Sequence, residues 1–130
     1  MNLLDENIRD DQRALLRKWR IPFRQIGKEI SRSGITDENL IPFLHRLHWA
    51  TLLTQDEDFF NRRLCHKAYG LVFLDVRYKE VAEFIRRFLK HPTFSTQAKR
   101  LGIVARVHAE GVQFWRKGAR TMQTVNWENE

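Results

Sequence analysis

The spacing of apolar residues changes period several times along the chain, and each change predicts an element. Val81, Phe84, Ile85, Phe88 and Leu89 fall at i, i+3, i+4, i+7 and i+8, which predicts a helix over residues 79–90 closed by His91 and Pro92. Leu15, Leu16 and Trp19 recur at helical spacing among Arg13, Arg17, Lys18 and Arg20, so residues 9–20 read as an amphipathic helix ended by Pro22. Thr36, followed by Asp37, Glu38 and Asn39, has the form of a helix start, with Thr36 as cap and the acids facing the dipole. That helix carries Leu40, Phe43, Leu44 and Leu47, and Pro42 within it predicts a kink or a true start nearer Ile41.

Short apolar runs between these segments read as strands: residues 1–4, 23–26, 50–53 and 70–75. Gly27 and the SRSG stretch at 31–34 mark a polar loop. Strands alternating with helices imply right-handed crossovers and a parallel sheet covered by helices. Beyond Thr93 the period falls to two. Residues 103–108 and 112–116 alternate around Glu110 and Gly111, which predicts a hairpin with Arg106 and His108 on one face and Ala105 and Val107 on the other. The expected organisation is one α/β unit over residues 1–94, a hairpin extension over 95–117 packed on or beside it, and a polar tail over 118–130 that contains Trp127.

Composition narrows the classes. At 130 residues, 42% apolar and 30% charged, the chain has the make-up of one globular domain and of neither a disordered tail nor a membrane protein. No apolar run approaches the roughly 18–20 residues that span a bilayer, and the first residues lack a signal peptide's basic head and apolar centre; a cytoplasmic protein is expected. Cys65 is the only cysteine, which excludes an internal disulfide and a Cys-based zinc site, and it reads as a partly buried, inert thiol. The net charge of +7 is unevenly spread. Residues 1–58 hold 9 Lys/Arg against 10 Asp/Glu, net −1, whereas residues 59–130 hold 14 against 6, net +8. A basic surface draws in polyanions, nucleic acid above all, although solvated helix faces give the same count.

Against that background the acids in LLTQDEDFF, residues 52–60, need a reason. In an open α/β sheet, ligands bind beyond the carboxyl ends of the strands. Asp5 and Glu6 follow the first strand, Asp56 and Asp58 follow the third, and Asp37 opens the helix leading into the third, so all of them can meet at one edge. Clustered carboxylates repel one another unless a cation intervenes, and Mg²⁺ or Mn²⁺, which prefer oxygen ligands, are the usual partners. Plain structural roles compete: Asp37, Asp10 and Asp11 as helix-start acids, Glu57 as a solvated side chain, Phe59 and Phe60 as plugs under the loop. Lys28 and Arg32 flank the acidic edge, and Arg62, Arg63 and Lys67 follow the Asp pair; both groups are candidates for holding phosphates. The five histidines are expected to lie apart, with His45 and His48 on the second helix, His66 and His91 in loops and His108 in the hairpin, which disfavours histidine-driven catalysis. A phosphoacceptor domain would also use strand-end acids with Mg²⁺, but it needs a lysine after a late strand where this chain has Asp75-Val76-Arg77.

LLDEN at 3–7, GITDENL at 34–40, LLTQDEDF at 52–59 and GLVFLDV at 70–76 with its following helix resemble the PIN-like domain proteins, in particular the small toxins of bacterial toxin-antitoxin pairs. The likeness covers residues 2 to about 90, and its most specific piece is Thr54, Asp56, Asp58 and Phe59 in one string. Pro42 and the hairpin depart from the family pattern. The resemblance implies a three-layer α/β/α sandwich around a mainly parallel sheet. It also implies metal-dependent endoribonuclease activity, with Asp5, Asp37, Asp56 and Asp58 as the catalytic, Mg²⁺- or Mn²⁺-holding acids. RNA would be hydrolysed by an activated water to 5′-phosphate and 3′-hydroxyl ends. The implied protein partners are a cognate antitoxin and a second copy of the chain. An RNA-binding or assembly module that keeps the fold without turnover is the alternative.

Overall fold

The computed structural model of the protein describes residues 1–30 and 34–127. Five short strands, β1 (Asn2–Leu4), β2 (Arg24–Gln25), β3 (Ala50–Thr54), β4 (Tyr69–Leu74) and β5 (Ile103–His108), pair in parallel in the order β2-β1-β3-β4-β5. Two antiparallel strands, β6 (Gly111–Arg116) and β7 (Gln123–Asn126), extend the same sheet beyond β5. With α1 (Asp10–Lys18), α2 (Asp37–Arg46), α3 (Val81–Lys90) and the short α4 (Gln97–Arg100), the fold is α/β with a mixed seven-stranded sheet. Among the described residues, no helix is long and apolar enough to cross a membrane.

Side chains alternate across the strands, so the sheet divides the apolar residues into two clusters. On one face Leu4, Leu53, Val72, Leu74, Ala105 and Phe114 pack with Leu16 of α1 and Val81, Phe84, Ile85 and Phe88 of α3. Phe88 stacks on Phe94 at 4.6 Å, and Phe94 meets Phe114 edge-on at 5.1 Å; all three are at most 1% exposed. On the other face Leu3, Leu52, Leu71 and Val104 pack with Leu40 and Leu44 of α2 and with Phe59. α2 covers only one end of that face. Farther along it the sheet presents Arg106, Gln113 and Trp115, and this part is left uncovered by helices.

Several elements bear on the sequence-based expectation. Pro42 does not delay α2, which begins at Asp37 and contains it. Pro42 is exposed, so the Glu38 carbonyl left without an intrahelical donor faces water, where the loss costs least. Thr36 occupies the cap position, but its hydroxyl accepts from the Asn39 side chain (3.1 Å) and not from a backbone N–H. The hairpin extension lies beside the α/β unit as a continuation of its sheet, because β5 pairs with β4. The stretch after Gly118 contains β7, and Trp127 is docked, donating its indole N–H to the His108 carbonyl (2.9 Å) and packing on Phe84. Gly111 permits this pairing, since any Cβ there would collide with the Val125 carbonyl.

Candidate active site at the carboxyl ends of the strands

β1 lies between β2 and β3, and α1, which follows β1, and α2, which leads into β3, sit on opposite faces of the sheet. Where neighbouring strands send their connections to opposite faces, a crevice opens at their carboxyl ends. Asp5 and Thr54 occupy that crevice.

The local sequence builds it with specific bonds. Asp5 continues the ladder by donating its N–H to Leu53 O (3.0 Å). The loop after it is held from below by Gln25 of β2, which is 1% exposed. Its amide donates to the carbonyls of Asp5 (3.0 Å), Glu6 (3.4 Å) and Ile8 (2.9 Å). The Glu6 carboxylate accepts the Gly34 N–H on both oxygens at 3.0 Å, tying the approach to α2 onto the end of β1. The Thr54 hydroxyl donates to Asp5 Oδ2 (2.8 Å) and accepts the Asp56 N–H (3.0 Å). Asp56 Oδ1 in turn accepts the Asp58 N–H (3.0 Å), capping a 3-10 turn over Glu57–Phe59. Asp5, Asp56 and Asp58 are thus joined through one chain of hydrogen bonds that starts at Thr54. Gln55 fixes the loop to the next strand by donating to Leu74 O (3.3 Å) and Val76 O (2.8 Å).

Among the described residues, no basic side chain comes within 4.0 Å of the Asp5, Asp56 or Asp58 carboxylates, in a chain with 23 Lys and Arg. Asp37 is the first residue of α2, and its side chain lies outside what the structure describes. Among the described residues, no three His, Cys, Asp or Glu side chains gather as a group able to hold a metal ion. The donor chemistry at this edge is nevertheless all oxygen. Mg²⁺ is commonly held by one or two carboxylates, with water and phosphate oxygens completing its shell. Asp5, already oriented by a hydroxyl, and Asp56 fit that open kind of site and not a closed protein cage.

Asp58 belongs also to a second feature on the same face. A cleft of about 880 Å³ runs over the uncovered part of the sheet, with Asp58, Arg62 and Arg63 on its rim and Asp75, Arg106 and Gln113 on its floor. Phe60 stacks on Trp115 (4.9 Å) as its apolar wall. Arg106 donates through Nε to Asp75 Oδ2 (2.8 Å) and through Nη1 to Gln113 Oε1 (2.6 Å), so the floor is a closed ion-pair network. Arg62 is steadied by a bond to the Ala119 carbonyl (3.2 Å).

Of the proposed phosphate-holding residues, Arg62 and Arg63 line the cleft together with Asp58. Lys67 and Lys28 are exposed and do not line it. Arg32 lies outside the described residues. Phe59 is a core residue as expected. Cys65 is half-buried, and burial pushes its thiol up from the ordinary value, as an inert thiol should behave.

The histidines require a correction. His45 and His66 converge, with ring centroids 4.2 Å apart, and His66 stacks on Tyr69. Their spacing in sequence hides this because α2 and the loop before β4 meet only in the folded chain. The pair sits beside the first residue of β4, at the sheet edge opposite Asp5, so it adds nothing to the acidic crevice. His48 lies beyond the end of α2, edge-on to Trp49. The Asp75–Arg106–Gln113 network went unrecognised in the sequence. Its one signal was an arginine in a strand whose neighbours alternate inward, since such an arginine calls for an acid across the pairing.

In comparisons with family models, curated proteins and solved structures, nothing matches this chain.

Proposed function

We propose that the protein is a PIN-type endoribonuclease with the three-layer α/β/α architecture of that family, dependent on Mg²⁺ or Mn²⁺ and acting as the toxin of a toxin-antitoxin pair. The observation that carries the reading is the Thr54 hydroxyl, which donates to the Asp5 carboxylate and accepts the backbone N–H of Asp56 at the β1/β3 crevice. The pairing with an antitoxin rests on the quoted motifs.

A bound divalent ion would supply Lewis-acid stabilisation of the scissile phosphate and a lowered pKa for the attacking water. The protein's own groups divide the remaining work. Asp5 offers its carboxylate with one oxygen oriented by Thr54, an outer-shell bond of the kind that positions a metal ligand. Asp56 is held by its cap to the Asp58 N–H, which fixes the loop that carries both acids. Arg62 and Arg63 would take phosphates flanking the scissile bond, and their pull acts equally on ground state and transition state. Phe60 and Trp115 form an apolar wall along which an unpaired base can lie.

The test is incubation with a mixed RNA pool in Mn²⁺, with and without chelator, for wild type and Asp5→Asn. Shortening of RNA that disappears with chelator and with Asp5→Asn is the expected result. RNA retained on the protein but never shortened, with Asp5→Asn binding as well as wild type, would mean a binding module without turnover.

A further inference from the structure

Arg100, at the end of α4, is 8% exposed and has no carboxylate partner among the described residues. Its guanidinium donates through Nη1 to the Phe94 carbonyl (2.8 Å) and, at 3.4 Å, through Nε to the Thr51 hydroxyl. Both partners are neutral, and Nη2 makes no bond to the described residues. A charge taken out of water without a counter-charge is among the costliest arrangements a fold can hold. This one is built with care: Gly70 lets the backbone of α4 lie against β4, where any Cβ would strike the Arg100 carbonyl.

The guanidinium opens onto a pocket of about 270 Å³ at the amino ends of β1 and β2, the sheet edge opposite Asp5. Arg24 lines it from the exposed side, with Gln97 and Asn2 as polar neighbours and Pro22 and Phe23 as apolar walls. Among the described residues, no acidic side chain lines it. A buried guanidinium, a second arginine and an amide around a small open pocket form the donor set that a tetrahedral oxyanion requires.

We infer that this pocket binds a phosphate group, held by Arg100 from within and by Arg24 at the rim. The shared chemistry is that of a phosphate dianion or monoester, supplied either as free phosphate or as the terminal phosphate of a nucleic-acid strand. The site is separate from the acidic crevice and does not depend on the ribonuclease reading.

The experiment is thermal unfolding of the full chain in inorganic phosphate against chloride at matched ionic strength, for wild type, Arg100→Met and Arg24→Ala. At a phosphate concentration ten times Kd, wild type should gain about 5 °C over chloride. Arg100→Met should lose the gain, and Arg24→Ala should need several-fold more phosphate to reach it. Should Arg100→Met fail to fold, the rightward shift in Arg24→Ala carries the test alone. A short oligonucleotide with and without a 5′-phosphate distinguishes the sources. A gain restricted to the phosphorylated strand assigns the pocket to a strand end, and a gain with inorganic phosphate assigns it to the free ion. Equal Tm in phosphate and chloride together with equal Tm for the two oligonucleotides, or an undiminished gain in both variants, overturns the site.

Discussion

Asp5 and Asp75 follow the two strands that flank β3, at the same edge of the sheet, yet the fold treats them differently. Asp75 is paired with Arg106 at 2.7 Å, and Arg106 is in turn held by Gln113. Asp5 receives a neutral hydroxyl from Thr54 and a backbone N–H from Asn7 at 3.5 Å. A carboxylate bound by arginine has its charge satisfied within the protein and little left for a ligand. One oriented by a hydroxyl keeps its charge available. On the proposed reading, the difference separates an acid that holds the sheet together from an acid that holds the metal.

The largest effect that would break this contrast is on turnover. Asp5→Asn should reduce RNA cleavage on the order of 10²-fold or more, as loss of a charge aimed at the reacting group does. Asp75→Asn should leave it within a few-fold. Equal losses in single-turnover assays would erase the distinction.

Thr54→Val comes next. It removes the hydroxyl that orients Asp5 while keeping the shape of a residue buried at 0% exposure. Cleavage or metal affinity should fall about 10- to 100-fold, the range for an outer-shell partner. The Mn²⁺ concentration for half-maximal rate is the readout, and Thr54→Ser, which keeps the hydroxyl, should recover most of the loss. A like comparison serves Asp56. Asn caps a turn about as well as Asp, so Asp56→Asn should fold like wild type while losing cleavage, whereas Asp56→Ala should also loosen the 3-10 turn.

A smaller effect is expected in stability. The Asp75 and Arg106 side chains are 46% and 31% exposed, so solvent screens their attraction, and their coupling in a double-mutant cycle with Asn and Gln should be about 0.5–1 kcal/mol. Asp5 paired in a cycle with Arg106 should show none. Chemical denaturation midpoints measure both.

The smallest effect lies in pH. Burial first, and then the neighbouring His45, hold the His66 imidazole below its ordinary value. Its Nδ1 also accepts the Ala68 N–H (3.0 Å), a bond available only to the unprotonated nitrogen. The unfolded chain therefore binds the proton more readily. The contribution to stability is present above about pH 6.5 and is lost as pH falls from there toward the lower folded value. Wild type should lose more in denaturation midpoint than His66→Gln between pH 7 and pH 5, by a few tenths of a kcal/mol at most for a ring so near the surface. Identical profiles would remove His66 from the account.

Which of these features the chain announces depends on how local their cause is. α3 was legible because one helix face collects Val81, Phe84, Ile85 and Phe88, and a stripe of that length has one way to bury itself. The β5–β6 hairpin was legible from its alternation around Glu110 and Gly111. The placement of Asp5, Asp56 and Asp58 at one edge followed from their position just past buried runs, since strand ends in a parallel sheet point the same way. β7 was not legible. Gln123, Thr124 and Asn126 are exposed and polar, and the strand exists because β6 offers it a ladder and Gly111 leaves room for it. The pairing of Asp75 with Arg106, the meeting of His45 and His66, and the enclosure of Arg100 are likewise decisions of the tertiary structure. Asp75 and Arg106, His45 and His66, and Thr51 and Arg100 each lie about 20 or more positions apart, their side chains carry no periodic signal, and only the sheet order brings them within reach.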